Sequence, residues 1–215
     1  VAYRRLRSRG AGRLASLISA IGVSIFLLES MRMFTESRPQ TAPRLLDKWT
    51  FGEIAGANFR IDTMLAIVAP IIIFVILDQF VNRSRLGKAI RAVSMSEENA
   101  KLMGIDINRV ISLTFLIGGL TTGAAAFLYT TVYENTVFNV GFNMGIAAFT
   151  AAVLGGIGNI RGAFYGGLAL GMLEQFSSAI LGSQWKAVTV FVVLVLILLF
   201  KPSGLFGEAV QQTRT

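Results

Sequence analysis

The sequence contains no cysteine and no histidine among its 215 residues. Without cysteine, the chain can form neither a disulfide framework nor a thiolate metal site. Without histidine, it lacks the commonest metal ligand and the commonest general base. Together these absences weaken most enzyme hypotheses and close the Ser-His and metalloprotease options.

Charged residues are also scarce. They make up 15% of the chain against 53% hydrophobic residues, and the mean hydropathy is +0.63, whereas a soluble domain carries roughly 25% charged residues. This composition predicts a membrane protein. A net charge of +8 can indicate nucleic-acid binding, but beside long apolar runs it is more typical of basic loops that face the cytoplasm or anionic lipid.

Six apolar segments are candidates for membrane helices, because a bilayer core of roughly 30 Å requires about 20 mostly apolar residues. They run from Leu14 to Leu28, Ile61 to Val81, Val110 to Tyr133, Val140 to Ile157, Ala163 to Leu181, and Trp185 to Phe200. The sequence therefore predicts an all-α, polytopic transmembrane helical bundle that forms one transmembrane domain over residues 1–215.

The distribution of Lys and Arg predicts the orientation of this bundle. Five arginines and no acid occur up to Arg13, and residues 82–109 carry six basic residues against three acids, so both stretches are predicted to be cytoplasmic. Residues 29–60 balance five basic residues against four acids and are predicted to form an external loop, with Glu29 closing the preceding helix. If every later segment crosses the membrane, the C-terminus is cytoplasmic; if the Gly-rich segment Val140 to Ile157 re-enters instead, it is external.

The stretch "SMSEENAKLMGIDINRV", which begins at Ser94, predicts a short bounded helix in the basic loop. Ser94 and Glu97 have the spacing of a capping box, Glu98 suits the positive helix N-terminus, and Gly104 is placed to terminate the helix. Ala100 and Met103 are predicted to form a small apolar patch on one face. Such a short helix needs packing to be stable, so it rests either on a partner or on the protein's own helix ends.

Glycines recur in "GGIGNIRGAFYGG", which starts at Gly155. Small residues four apart let membrane helices approach closely, so this stretch and its continuation predict tight helix packing. A phosphate-binding loop is the competing interpretation, but no Lys-Ser/Thr follows and no strand flanks the motif. The predicted packing residues are Gly155, Gly156, Gly158, Gly162, Gly166, Gly167 and Gly171.

Glu174 is the one carboxylate near the middle of a predicted helix. A charge at that depth costs a few kcal/mol on insertion scales, so it should face a water-filled path or a partner. Glu174 therefore either lines a translocation path or makes a structural hydrogen bond between helices. Asn143, Thr150 and Asn159 could line the same path, although single polar residues in membrane helices usually bond a neighbouring backbone. An intramembrane aspartyl-type enzyme is disfavoured because it needs two facing acids.

Three stretches together resemble the membrane permease subunits of branched-chain amino acid ABC transporters. They are "GKAIRAVSMSEENAKLMGIDINRVISLTF", "AFTAAVLGGIGNIRGAFYGGLALGMLE" and "LILLFKPSGLFG", and the resemblance is strong from about Gly87 to Gly207. The chain differs at Arg161, where the family commonly has proline. In this family the region follows several N-terminal membrane helices, so Val1 is expected to be an internal start.

The resemblance implies a subunit of a bacterial inner-membrane importer for branched-chain or other hydrophobic amino acids. Its implied partners are a second permease subunit, cytoplasmic ATPase subunits, an external solute-binding protein and the surrounding lipid. It implies that residues 82–109 form the cytoplasmic coupling loop, which contacts the ATPase through Ser96, Glu97, Glu98, Asn99, Ala100 and Gly104.

No cofactor is expected in this chain, because ATP and magnesium belong to the partner ATPases, and no residue of it should catalyse bond chemistry. A permease for urea or short amides is the alternative within the same superfamily. A purely structural membrane scaffold is the alternative from another class.

Overall fold

The computed structural model describes residues 13–43, 50–54, 57–201 and 203–207, and the side chains of residues 18–43, 61–201 and 203–207. The basic stretch before Arg13 and residues 44–49 and 55–56 of the predicted external loop lie outside the described residues. Eight α-helices and four short strands are found in the described part, so the predicted all-α class is confirmed. The chain divides into two compact units, residues 1–139 and 140–215.

Within the described residues, the first unit contains five helices. They are α1 (Arg13–Phe34), α2 (Ile61–Arg83), α3 (Arg85–Met95), α4 (Glu97–Leu102) and α5 (Ile107–Tyr133). The segment predicted at 14–28 lies inside α1, but that helix runs on past Glu29 to Phe34. The prediction that Glu29 closes the helix is wrong, because a carboxylate on an exposed helix face does not interrupt the backbone hydrogen bonds, and Glu29 there accepts a hydrogen bond from Arg32 at 3.3 Å.

Four short strands in the first unit were not predicted from the sequence. β1 (Gln40–Thr41) pairs antiparallel with β4 (Asn135–Thr136), with Gln40 opposite Thr136. β2 (Thr50–Ile54) and β3 (Ala57–Arg60) pair antiparallel with an irregularity between Thr50 and Gly52. The predicted external loop thus contains ordered strands, and β1 joins it to the chain that follows α5.

The described part of the second unit, residues 140–201 and 203–207, contains three helices, α6 (Val140–Gly155), α7 (Ile160–Leu181) and α8 (Lys186–Phe200), with a 3-10 turn at Ser183–Trp185 before α8. Ala151, Leu170 and Val190 form its small buried core, with Ala147 and Val193 packed against it. Each of the three helices contributes to this cluster, so the unit is a three-helix assembly.

Three helices in the described part of the chain are long and apolar enough to cross a membrane: Ile61–Arg83, Ile107–Tyr133 and Ser183–Phe200. α6 and α7 satisfy the same test only as a pair bent by 119°, the geometry of a broken span or a re-entrant loop. The protein is therefore a multi-pass membrane protein. The predicted membrane segment at 14–28 and the full crossing of Val140 to Ile157 stay predictions.

Candidate functional site

The predicted coupling loop at 82–109 begins with a helix. α3 starts after Ser84, whose side chain accepts a hydrogen bond from the backbone N–H of Gly87 at 2.9 Å. Gly87 is buried, and a Cβ added there would lie 2.2 Å from the carbonyl oxygen of Val81. Only a residue without a side chain fits this corner, so the backbone of α3 packs directly on the end of α2.

Arg91 fastens α3 to α2 a second time. Its guanidinium donates to the side-chain oxygen of Asn82 at 3.2 Å and to the Asn82 carbonyl at 3.4 Å. The Asn82 amide in turn donates to Asp78 at 2.9 Å. This brace was missed in the sequence, where residues nine apart and separated by a helix break give no periodic signal.

The short helix of the loop is α4, and its N-cap is Ser96. The Ser96 side chain accepts from the N–H of Asn99 at 3.3 Å, which satisfies one unpaired donor of the first turn. The predicted capping box of Ser94 and Glu97 is wrong, since the Ser94 hydroxyl donates back to the Arg91 carbonyl at 2.8 Å. Ser94 still belongs to α3, which continues to Met95, so the cap moves two residues along.

Gly104 ends α4, as predicted. It has φ +78°, its N–H donates to the Lys101 carbonyl at 3.0 Å, and the N–H of Ile105 donates to the Ala100 carbonyl at 3.1 Å. These two bonds and the left-handed glycine form a Schellman motif. Asp106 then caps α5 by accepting from the N–H groups of Asn108 and Arg109, so four residues separate the last residue of α4 from the first residue of α5.

The apolar surface of the predicted coupling loop, residues 82–109, differs from the predicted patch of Ala100 and Met103. Ala100 is 3% exposed and packs inward, whereas Met103 is 83% exposed, so the two do not share an open face and that prediction is wrong. Met95 and Leu102 are exposed to 90% and 86%. The segment therefore presents three large apolar side chains, those of Met95, Leu102 and Met103, beside the acidic first turn of Glu97 and Glu98.

Three of the predicted packing glycines lie in the contact between α6 and α7. A Cβ on Gly155 would lie 2.0 Å from the Gly162 carbonyl oxygen, one on Gly162 would lie 2.2 Å from the Gly155 oxygen, and one on Gly166 would lie 2.4 Å from the Ala151 oxygen. These approaches require glycine at all three positions.

The other four glycines of the predicted set lie elsewhere. Gly156 approaches Gly207 near the C-terminus, with an added Cβ 2.5 Å from its nitrogen, and Gly167 is in ordinary contact with Ala151. Gly158 and Gly171 have nothing within 4 Å of an added Cβ. The spacing of four residues therefore identified some of the glycines at helix contacts. It could not separate these glycines from those with no neighbouring atoms.

The predicted path residues lie in different environments of the second unit. Asn143 is exposed and Glu174 is half-buried, whereas Thr150 is 0% exposed and donates to the Ile146 carbonyl of its own helix at 2.8 Å. Asn159 is the N-cap of α7, where its side chain accepts from the N–H of Gly162 at 3.1 Å. Beyond Glu174, a hydrogen bond between Ser177 and Thr189 joins α7 to α8.

Within the described residues there is no group of three acidic residues that could hold a metal ion. The described residues form apolar, span-length helices, and a short polar segment with capped helix ends connects two of them. The class this defines is a helical multi-pass membrane protein with a short, capped connecting element.

Comparison with known proteins identifies the family. Residues 11–200 match the family described as "Branched-chain amino acid transport system / permease component", and the chain belongs to this family. Its members are permease subunits of ABC transporters rather than enzymes.

Two curated relatives cover almost all of the chain. It is 43% identical over 212 residues to the high-affinity branched-chain amino acid transport system permease protein BraD of Pseudomonas aeruginosa. It is 41% identical over 211 residues to the corresponding LivH protein of Escherichia coli. Each match covers 97% of this chain and 68% of the relative.

A weaker match is the fructose import permease protein FrcC of Rhizobium meliloti, 24% identical over 171 residues, which are 75% of this chain and 48% of that protein. No solved structure matches the chain significantly.

Proposed function

We propose that this chain is the subunit through which branched-chain or other hydrophobic amino acids cross the membrane in an ATP-driven importer. The family assignment over residues 11–200 and the 41–43% identity to two relatives named for this transport support the substrate class. The alternative substrates, urea and short amides, are not favoured, because neither of those two relatives is named for them.

The helix α4 and the exposed apolar side chains beside it support the proposed coupling to the ATPase. A helix of six residues has too few hydrogen bonds to persist alone in water. Here both ends are capped, and Gly104, two residues beyond the end of α4, fixes the chain direction. Three large apolar side chains at 83–90% exposure surround it. A rigid element with an uncovered apolar surface suits a groove on a partner, which in this proposal is a cytoplasmic ATPase subunit.

The brace of Arg91, Asn82 and Asp78 supports transmission of force from that contact. Because α3 is bonded to α2 and Gly87 packs on Val81, a displacement of α4 passes through α3 to a span-length helix. ATP-driven closure of two ATPase subunits would then bias the helical bundle between inward-open and outward-open states, as far as each state differs in its affinity for the closed ATPase pair.

The complete assembly in this proposal contains this subunit, a second related permease, two ATPases with ATP and magnesium, and an external solute-binding protein. ABC permeases of this family in general work with ATPase and binding-protein partners. The chain itself binds no cofactor in the proposed mechanism. Its place is the bacterial inner membrane, with residues 82–109 and the C-terminus in the cytoplasm.

Glu174, Asn143 and Thr150 are proposed to belong to the translocation path. Glu174 is half-buried in α7, and a carboxylate at that depth in a membrane requires polar surroundings, which supports a role in a polar path within the assembled complex. Thr150 is fully buried in this unit, so it would have to act by supporting the helix packing around the path rather than by direct contact.

The test is uptake of radiolabelled leucine, with urea in parallel, by proteoliposomes that contain the complete permease pair and the ATPases. Binding protein and ATP are supplied or withheld. We expect leucine uptake that requires both. Uptake of urea alone would overturn the substrate class and leave the architecture, and uptake of leucine without ATP would overturn the coupling mechanism.

A further inference from the structure

The chain beyond α8 returns to the bend between α6 and α7. Residues Ser203–Gly207, called here the C-terminal strap, make two backbone hydrogen bonds to the end of α6. The N–H of Leu205 donates to the Leu154 carbonyl at 2.7 Å, and the N–H of Phe206 donates to the Gly155 carbonyl at 3.2 Å. These carbonyls belong to the last four of a helix, which have no partner within the helix.

Asn159 joins the strap to the next helix. Its side-chain oxygen accepts from the N–H of Gly162 and caps α7, while its side-chain NH2 donates to the Phe206 carbonyl at 3.0 Å. An asparagine amide is both donor and acceptor, so one side chain serves both contacts. The start of α7, the end of α6 and the strap are thereby held at a single point.

Glycines allow the strap to approach this closely. Gly204 has φ +80°, and a Cβ added to it would lie 2.4 Å from the Cα of Gly156. The residues beneath, Val153 and Leu154, are 1% and 5% exposed. Because the strap begins within three residues of the end of α8, it fastens all three helices of this unit at the same end.

We propose that the C-terminal strap is a fixed element that holds the bend between α6 and α7 at one angle throughout the transport cycle, and that Asn159 is its positioning residue. Detaching the strap would remove the hydrogen-bond partners of the carbonyls of the buried residues Leu154 and Gly155, which is unfavourable. The strap therefore keeps α6 and α7 at a constant angle. Movement of this unit during transport is a rigid-body movement and not a straightening of the bend.

This proposal can be tested with site-specific labels, because the chain has no cysteine that would also be labelled. Ile157 and Leu205 have exposed side chains, and replacing both with cysteine allows two nitroxide labels to be attached, one at the bend and one on the strap. Because Gly204 packs directly on Gly156, the two labels lie close together, and the distance between them is measured from dipolar broadening of the continuous-wave electron paramagnetic resonance spectrum. The spectra are recorded on the complete complex, with cysteine-free partners, without nucleotide and with ATP. This measurement does not depend on which substrate is carried.

We expect one narrow distance distribution that is the same in both nucleotide states. The Asn159→Asp variant keeps the cap acceptor but loses the NH2 donor to Phe206. We expect it to broaden the distribution and to lower uptake about fivefold, as loss of one exposed hydrogen bond allows. Gly204→Ala should broaden it as well. Gly182→Ala is the matched control, because Gly182 also has a positive φ (+96°) but has nothing within 4 Å of an added Cβ.

Any of three results overturns the proposal. A distance that changes with ATP while Asn159 and Gly204 are intact would show that the strap moves during the cycle, and this result needs no destabilising variant. A narrow distribution in Asn159→Asp, whatever its uptake, would show that Asn159 does not position the strap. A broadened distribution with unchanged uptake would show that the angle of the bend does not matter for transport.

Discussion

Gly104 alone determines the direction that the chain takes after α4. Its φ of +78° lies in the left-handed region, which costs other L-residues roughly 1–2 kcal/mol. No atom lies within 4 Å of a Cβ added there. The requirement for glycine therefore comes from the backbone conformation that ends α4 and not from crowding.

The Gly104→Val variant is expected to assemble but to lose coupling. The β-branched side chain is incompatible with the left-handed conformation, so α4 should lose its fixed end while the rest of the subunit keeps its packing. The measurement is leucine uptake and ATP hydrolysis in the same proteoliposomes, where uptake should fall and hydrolysis should persist. Gly104→Asn is the control, since asparagine adopts this conformation readily; normal uptake by Gly104→Val would refute the assignment.

Gly166 illustrates the opposite case, in which crowding alone requires glycine. Gly166→Ala would place a Cβ 2.4 Å from the backbone oxygen of Ala151, and such overpacking costs about 1–3 kcal/mol. Thermal unfolding of the purified complex should therefore occur at a lower temperature. Gly171→Ala is the control, because Gly171 lies five residues further along α7 and has no atom within 4 Å of an added Cβ. This variant should leave the unfolding temperature unchanged or raise it. Equal effects of the two variants on the unfolding temperature would contradict the observed packing.

At the scale of elements, the connection between α2 and α5 consists of two helices that meet at Ser96. This serine is both the C-cap of α3, through its N–H to the Ala92 carbonyl, and the N-cap of α4. A single residue with extended backbone thus separates two helix axes. The angle between α3 and α4 is consequently set by a residue that both helices need.

The Ser96→Ala variant is expected to loosen α4. Loss of an N-cap costs about 1 kcal/mol, which corresponds to roughly fivefold more frequent local opening. Hydrogen exchange of the amides in Glu97–Leu102 should accelerate by that factor. Ser94→Ala is the matched control, because the Ser94 hydroxyl bonds within α3 and its loss should leave these amides unaffected; faster exchange in the control would restore the capping box of Ser94 and Glu97.

At the scale of the whole molecule, the surfaces of the span-length helices are mostly apolar and uncovered. Large side chains such as Ile72, Phe115, Leu120, Phe191 and Leu196 are exposed. In a membrane these surfaces face lipid or neighbouring helices, where small residues and shape complementarity determine association because lipid is as apolar as the side chains. The small buried core of the second unit is consistent with a subunit stabilised largely by its surroundings.

The absence of cysteine also allows the orientation to be measured directly. Single cysteines at Arg38 and Met103, both with exposed side chains, report the predicted external and cytoplasmic sides. A membrane-impermeant maleimide added to intact spheroplasts should label Arg38→Cys and spare Met103→Cys until the membrane is opened. The reverse pattern would show that the basic residues of 82–109 lie outside and that the positive-inside assignment is wrong.

The sequence by itself determined the membrane class, the position of most helices and the existence of a short bounded helix before Gly104. These depend on local properties, namely apolar run length, charge bias in loops and the conformational preference of glycine, which can be read from neighbouring residues. The resemblance to ABC permeases rested on the same stretches and was confirmed by the family match.

Only the tertiary structure decided which residues act together. The cap at Ser96 depends on where α3 ends, the brace depends on folding Arg91 back on Asn82, and the role of Asn159 depends on Phe206, which is 47 residues away. Likewise, Gly155 and Gly158 look alike in the sequence, but only the first meets another backbone. Contacts between distant parts of the chain leave no local periodic signal, because they are fixed by how the helices pack and not by the preferences of the residues within each helix.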